Sequence, residues 1–160
     1  MIADQVQAPS EADASKERLR LWLKLLKTSR LIEDQVRRRL RSELDTTLPR
    51  FDVMSALSRA PDGLKMSAIS KRLRVSNGNI TGIVDKLTEE GLAIRVAVPG
   101  DRRANLVRLT AKGSNVFATH AEAHEAWIGD ILGGLGDVDT QDLMTHLGHL
   151  AEALGAQDDA

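Results

Sequence analysis

Between positions 76 and 82 the chain reads Ser-Asn-Gly-Asn-Ile-Thr-Gly, a run of short hydrogen-bonding side chains broken by two glycines. An Asn amide donates and accepts side by side, which matches the edge of an adenine. A Ser or Thr hydroxyl can bond a base edge or a phosphate oxygen. Asn77, Asn79 and Thr81 are therefore expected at or near base edges, with 77 and 81 on one helix face and 79 beside them. Ser76, Lys65 and Ser67 are expected nearer phosphate. A helix that only covered a core would carry Leu, Lys or Glu on its outer face. Each glycine instead costs roughly 1 kcal/mol in a helix interior, and a missing side chain lets the backbone approach another surface. The plainer reading is a solvated helix of poor propensity. Downstream, Asp101, Arg102 and Arg103 follow Pro99-Gly100. There an Asp can close a turn on backbone N–H groups, leaving Arg102 and Arg103 as the cations of an exposed loop.

The elements that must hold these groups are legible in the periodicity. Met66, Ile69 and Leu73 recur at helical spacing, and a break follows at Arg74-Val75. Ser76 suits the N-cap of a second helix, which carries Ile80, Ile83, Val84 and Leu87 on one face. Gly91 suits the left-handed position that ends it. The period then changes to two: Leu92, Ile94, Val96 and Val98 alternate with Arg95 and Ala97. Pro99-Gly100-Asp101 is a turn signal and Leu106–Leu109 the returning strand. Helix, turn, helix and basic hairpin together make a winged helix-turn-helix, a module that docks on DNA.

The stretch NITGIVDKLTEEGLAIRVAVPGDRRANLVRLTAKG resembles the signature region of the MarR family of bacterial transcriptional regulators, in the helix VDKLTEEGL, the wing PGDRR and the LTAKG that opens the next helix. The flanking helices extend the likeness over about residues 17–155. The resemblance implies a homodimer that binds a palindromic operator, usually as a repressor released by a small molecule. It also implies a wing arginine in the minor groove, and a dimer interface built from the first and last two helices.

Around the module the chain reads as follows. Residues 1–16 are expected to be a disordered tail and 17–155 a single domain, with the DNA-binding part at about 48–110 and dimerisation helices at about 17–45 and 111–155. The fold class is mainly α with a small β-hairpin wing. The first helix, about Glu17 to Glu43, carries Trp22, Leu25, Ile32, Val36 and Leu40 at helical spacing, widened by Leu19, Leu21, Leu23, Leu26, Leu31 and Leu44. So broad an apolar surface calls for a second subunit. Leu48-Pro49 opens the next helix, with Phe51, Val53, Met54 and Leu57 as core contacts. Thr110 caps a helix over about 111–132, with Val116, Phe117, Ala121, Trp127, Ile128 and Ile131 as its apolar set. Gly133-Gly134-Leu135-Gly136 is a connector, and Asp137 or Asp139 caps a last helix striped by Leu143, Leu147, Leu150 and Leu154.

The net charge of −1 is unevenly distributed: residues 16–50 and 65–113 each carry +6, and residues 114–160 carry −9 with no Lys or Arg. The basic segment coincides with the reading head, as phosphate contacts require. The absence of Cys excludes disulfides and thiol-based sensing. No run of 18 apolar residues appears, so no membrane span is expected. The start lacks the features of a secretory signal, so the expected location is the cytoplasm.

Arg37, Arg38, Arg39 and Arg41 crowd the end of the first helix. They read either as solvated cations near a helix C-terminus or as an anion site, since Arg37 and Arg41 lie one turn apart. With Trp22 as an aromatic wall, Arg37, Arg38 and Arg41 are the candidate residues for a small anionic or aromatic effector: an aromatic carboxylate, a phenol or an acyl thioester. His120 and His124, and His146 and His149, have a spacing that can hold a metal. Glu122 is misplaced for the H-E-x-x-H arrangement, and polar-face histidines are the simpler reading. No metal ligand set, cofactor or catalytic residue is assigned: no nucleophile elbow, phosphate loop or dinucleotide fingerprint is present. Two alternatives stay open, a winged module that contacts protein and a metal-responsive regulator.

Overall fold

The computed structural model describes residues 11–155, and of residues 102–104 the backbone alone. The described elements are α1 (Glu11–Leu44), α2 (Leu48–Ser58), β1 (Leu64–Lys65), α3 (Met66–Leu73), α4 (Asn77–Glu89), β2 (Ala93–Val98), β3 (Asp101–Leu109), α5 (Ala111–Leu132) and α6 (Asp137–Ala153). The fold is mainly α with a small winged sheet. One compact unit runs through His120 and a second from Ala121 onward.

Two expectations need correction, and a third, the hairpin wing, is present as β2 and β3 and is extended. The tail does not extend to residue 16: α1 begins at Glu11, and residues 1–10 lie outside the described ones. Glu11-Ala-Asp-Ala-Ser-Lys-Glu17 has few helix breakers, and Glu11 and Asp13 in the first turn complement the helix dipole. The wing is not a hairpin alone. Leu64 and Lys65 form a third strand, pairing antiparallel with Val107 and Leu106, so that β3 lies between β1 and β2. Two residues are too few to show alternation. Neither Asp137 nor Asp139 is the last N-cap: Gly136 holds that position, with both acids in the first turn.

The core of the first unit is the apolar face of the reading head. Val53, Met54 and Leu57 of α2, Ile69 of α3 and Ile80, Val84 and Leu87 of α4 form one buried cluster with Leu92, Ala93 and Val107. Each fully buried Leu or Ile contributes roughly 1.5–3 kcal/mol. Phe51 and Phe117 add a tilted aromatic contact at 5.4 Å between ring centroids. This cluster fixes the roll of α4, and therefore which of its residues face outward.

The joints follow from local chemistry. Thr47 caps α2 by accepting from Arg50 N, and Ser76 caps α4 by accepting from Asn79 N at 3.4 Å. Arg74, in the left-handed conformation, makes the sharp turn between α3 and α4. Gly91 has φ of +72° and closes the C-terminus of α4. Thr110 Oγ1 donates to Gly91 O at 2.7 Å and accepts from Gly113 N at 2.9 Å, capping α5 against the end of α4.

On α1 only Val36 and Leu40 are buried. Leu19, Leu21, Trp22, Leu23 and Leu31 are each more than half exposed. No residue of α6 is buried, and Leu143, Leu147, Leu150 and Leu154 are all exposed.

Candidate nucleic-acid interface

Lys65, the N-cap of α3, Ser67 in its first turn, and Asn77 and Thr81 of α4 converge on one cleft of about 550 Å³, closed by Met66, Arg95 and Asn105. Residues from a helix start, the exposed side of α4 and the base of the wing thus meet in a concave surface lined mostly by residues with polar groups. Ile80, Val84 and Leu87 turn inward, which leaves Asn77, Gly78, Asn79, Thr81 and Gly82 exposed. An added Cβ at Gly78 or Gly82 would meet nothing within 4 Å. Neither glycine is needed for packing among the described residues.

Asn79 does not lie beside Asn77 and Thr81. Two residues on a helix span about 200°, which puts Asn79 on the opposite flank of the Gly78–Gly82 ridge, and the cleft does not include it. Thr81 Oγ1 donates to Asn77 O at 2.8 Å, so this hydroxyl presents acceptor lone pairs outward. Ser76 Oγ is engaged as the cap acceptor but keeps its proton for an outside partner.

Asn105 and Arg95 were missing from the sequence-based assignment. Arg95 stands opposite Ile94 and Val96, as the alternation expects, but on the face of β2 turned toward α4: its register partner Val107 and its same-face neighbour Ala93 are fully buried, while Ile94, Val96 and Val98 are only half-buried. Its Nη2 donates to Asp85 Oδ1 of α4 at 2.6 Å. Asp101 starts β3 after the Gly100 turn, where φ is +85°. The side chains of Arg102 and Arg103 lie outside the described ones.

The far end of α4 is anchored separately. Arg50 Nη1 donates to Glu90 Oε1 at 2.9 Å and Nη2 to Oε2, while Lys112 Nζ donates to Glu90 O. Arg50 holds the Glu90 carboxyl below the usual carboxylate range, chiefly by this hydrogen bond.

Of the four residues singled out for an effector, three share a cleft. Arg37, Arg38 and Arg41 line a space of about 610 Å³ with Asp34, Thr46, Thr47, Leu48 and Pro49. Trp22 is not with them: 15 residues of helix at about 1.5 Å each place it roughly 22 Å from Arg37 along α1, and it is 55% exposed. Arg37 Nε donates to Glu33 Oε1 at 3.1 Å. A neighbouring cavity of about 230 Å³ joins Glu33, Arg37 and Asp52 to Leu73, Val75, Ile80 and Ile83 at the start of the reading head. Burial pushes the Asp52 carboxyl up, against the pull of Arg37. Burial pushes His120 and His124 down, and Arg50 lowers His120 further. Among the described residues no three His, Cys, Asp or Glu side chains are grouped to hold a metal. No described helix is long and apolar enough to cross a membrane.

A helix-turn-helix packed on a three-stranded wing, with its polar helix face turned outward, is the winged helix-turn-helix of DNA-binding transcription regulators. The sequence profile of the MarR family matches residues 44–104. HTH-type transcriptional regulator MhqR of Bacillus subtilis is 30% identical over 67% of this chain and 75% of its own length. Transcriptional activatory protein BadR of Rhodopseudomonas palustris is 27% identical over 99% of this chain and 93% of its own. The crystal structure of a MarR family transcriptional regulator from Silicibacter pomeroyi superposes with a TM-score of 0.74 at 30% identity, covering 89% of this chain and 98% of that one. A mutant MarR from E. coli complexed with operator DNA shares the fold at a TM-score of 0.70 and 23% identity, over 84% of this chain and 95% of that one. The chain belongs to the MarR family of transcriptional regulators. As a member of that family it is a transcription regulator and not an enzyme.

Proposed function

We propose that this regulator binds a palindromic operator as a homodimer, with α4 in the major groove and the wing in the adjacent minor groove. The observation that carries this reading is the convergence of Lys65, Ser67, Asn77 and Thr81 on one cleft beside a bare helix ridge. Asn77 and Thr81 read base edges from one flank of α4 and Asn79 from the other. Lys65, Ser67 and Ser76 bond phosphate. Asp101 closes the wing turn and presents Arg102 and Arg103 to the minor groove, where a narrow A·T-rich stretch attracts a guanidinium.

The exposed leucines of α1 and, separately, of α6 supply the apolar surface a second subunit would cover. A dimer must hold its two α4 helices about 34 Å apart to enter successive major grooves. A small anionic aromatic effector in the Arg37–Arg38–Arg41 cleft, adjoining the cavity that reaches Val75 and Ile80, would act on that spacing. It releases the operator by binding the non-binding conformation more tightly. Occupancy of an operator overlapping a promoter represses. The name of the R. palustris relative says that it activates, and the sign follows from where the operator lies.

Selection of duplexes from a randomised pool tests the reading. It should enrich a palindrome with half-sites one turn apart, and Asn77→Ala, Asn79→Ala or Thr81→Ala should each cost about 1–3 kcal/mol on it and relax sequence preference. Unchanged affinity and preference for all three would reject the base-reading assignment. Arg37→Ala and Arg38→Ala should bind the selected duplex like the parent but need far more effector for release in a screen of aromatic carboxylates and acyl thioesters.

A further inference from the structure

The cleft between α4 and the sheet contains a cation that DNA recognition through α4 and the wing tip does not explain. A protein with a helix in the major groove and a wing in the adjacent minor groove must straddle the sugar-phosphate strand that separates the two grooves. In this molecule the straddling surface is the cleft of about 550 Å³ between Asn77 and Thr81 on one side and Arg95 and Asn105 on the other, with Lys65 and Ser67 at its end. Arg95 and Asn105 stand on neighbouring strands, two positions apart in register: Arg95 pairs with Val107 and Ala97 with Asn105. The Arg95 guanidinium does not swing free. Its Nη2 donates to Asp85 Oδ1 at 2.6 Å, and the two side chains remain 39% and 46% exposed. Asp85 lies one helical turn beyond Thr81 on the same helix.

An ion pair this exposed contributes little to folding, because water screens it. It does confine a long, rotamer-rich side chain to one place, over the cleft, before any ligand arrives. A guanidinium has five N–H donors, and a single contact to Asp85 leaves others for a phosphodiester oxygen. Holding it in advance lowers the ordering cost of binding.

We propose that Arg95 is a phosphate-contacting residue on the DNA strand between the two grooves, and that Asp85 is its positioning residue. This rests on the operator-binding reading and adds to it a fixed clamp behind the base-reading helix. The contact is to the backbone, so it should act on every duplex alike.

The test uses the full-length protein, a duplex selected by the parent from a randomised pool, and an unrelated duplex of equal length, each titrated over a chloride salt series. Arg95→Ala should weaken binding to both duplexes about tenfold at 0.1 M salt and lower the salt slope by about 1. Arg95→Lys should keep the slope and recover part of the affinity. Asp85→Ala should weaken binding when Arg95 is present and have no weakening effect in the Arg95→Ala background, the signature of action through Arg95. Melting temperatures should stay within a few degrees of the parent for all variants. Arg95→Ala with unchanged affinity and slope overturns the contact. Equal losses from Asp85→Ala in both backgrounds overturn the positioning role. A loss confined to the selected duplex would make Arg95 a base-reading residue and also overturn the proposal. A parent protein that retains no duplex from the pool overturns the operator-binding reading itself, and this assignment with it.

Discussion

Arg50 of α2 meets Glu90, the C-cap of α4, in a two-point ion pair across 40 residues of sequence. The Arg50 side chain is mostly buried, and its Nε lacks a described partner. The pair holds the end of the reading helix that is farthest from its polar N-terminal face. It also sits where Lys112 of α5 bonds the Glu90 carbonyl, so three helices share one electrostatic joint.

Glu90→Gln should lower stability at neutral pH by up to about 1 kcal/mol, more than the exposed Arg37–Glu33 pair loses on Glu33→Gln. The native Glu90 carboxyl titrates lower than in the unfolded chain. Its contribution is therefore complete above the unfolded carboxylate range and disappears as pH falls through the native value. Urea unfolding at pH 7 and at pH 3 checks this: the difference between parent and variant should shrink at the lower pH.

The histidines give a second pH dependence, in a different window. His120 and His124 titrate below their usual 6.5 in the native protein, mainly because burial disfavours the charged form. A depressed native value means that the unfolded state takes up the proton first, so stability is lost as pH falls below about 6.5. His120→Gln should flatten the decline in melting temperature between pH 7.5 and 5. An unchanged pH profile in that variant would place the dependence elsewhere.

Gly113 is packed where no side chain fits. A Cβ there would lie 1.9 Å from the carbonyl oxygen of Leu92, which already accepts from Thr110 N. Gly113→Ala must push the start of α5 away from the end of the reading head. A loss of about 1–3 kcal/mol is expected, the range for overpacking a filled interior. Chemical denaturation should register it as a lower midpoint.

Gly78 and Gly82 should behave in the opposite way. An added Cβ meets open space at both. Alanine at each should therefore raise stability by up to about 1 kcal/mol through helix propensity. If α4 enters the major groove as proposed, the same methyl groups would stand between the ridge and the DNA, so affinity for a selected operator should fall. A variant with a higher melting temperature and weaker operator binding separates the folding role of α4 from its reading role. Unchanged affinity in both alanine variants would mean that the ridge does not seat closely.

The reading head was legible in the order of residues because its determinants are local. Ser76 capping Asn79, Gly91 in the left-handed turn, Thr110 capping Gly113 and the inward set Ile80, Val84 and Leu87 each depend on groups within a few positions. Hydrogen bonds of that range follow from backbone geometry and composition alone. The strand alternation likewise set Arg95 on the face opposite Ile94 and Val96, but not which of the two faces meets α4. The start of α1 at Glu11 was also encoded locally, in acidic first-turn residues that a polar composition had disguised as a tail. Tertiary structure decided the rest. Asp85 takes Arg95 ten positions away, Arg50 takes Glu90 forty away, and Lys65 pairs with Leu106 to make the third strand. It also placed the Arg37–Arg41 cleft beside Thr46 and Thr47, whereas the separation of Trp22 from that cleft follows from helix rise along α1 alone. Such pairings depend on how packed helices are rolled and how strands are registered, and periodicity specifies which face is buried without specifying which distant residue it meets.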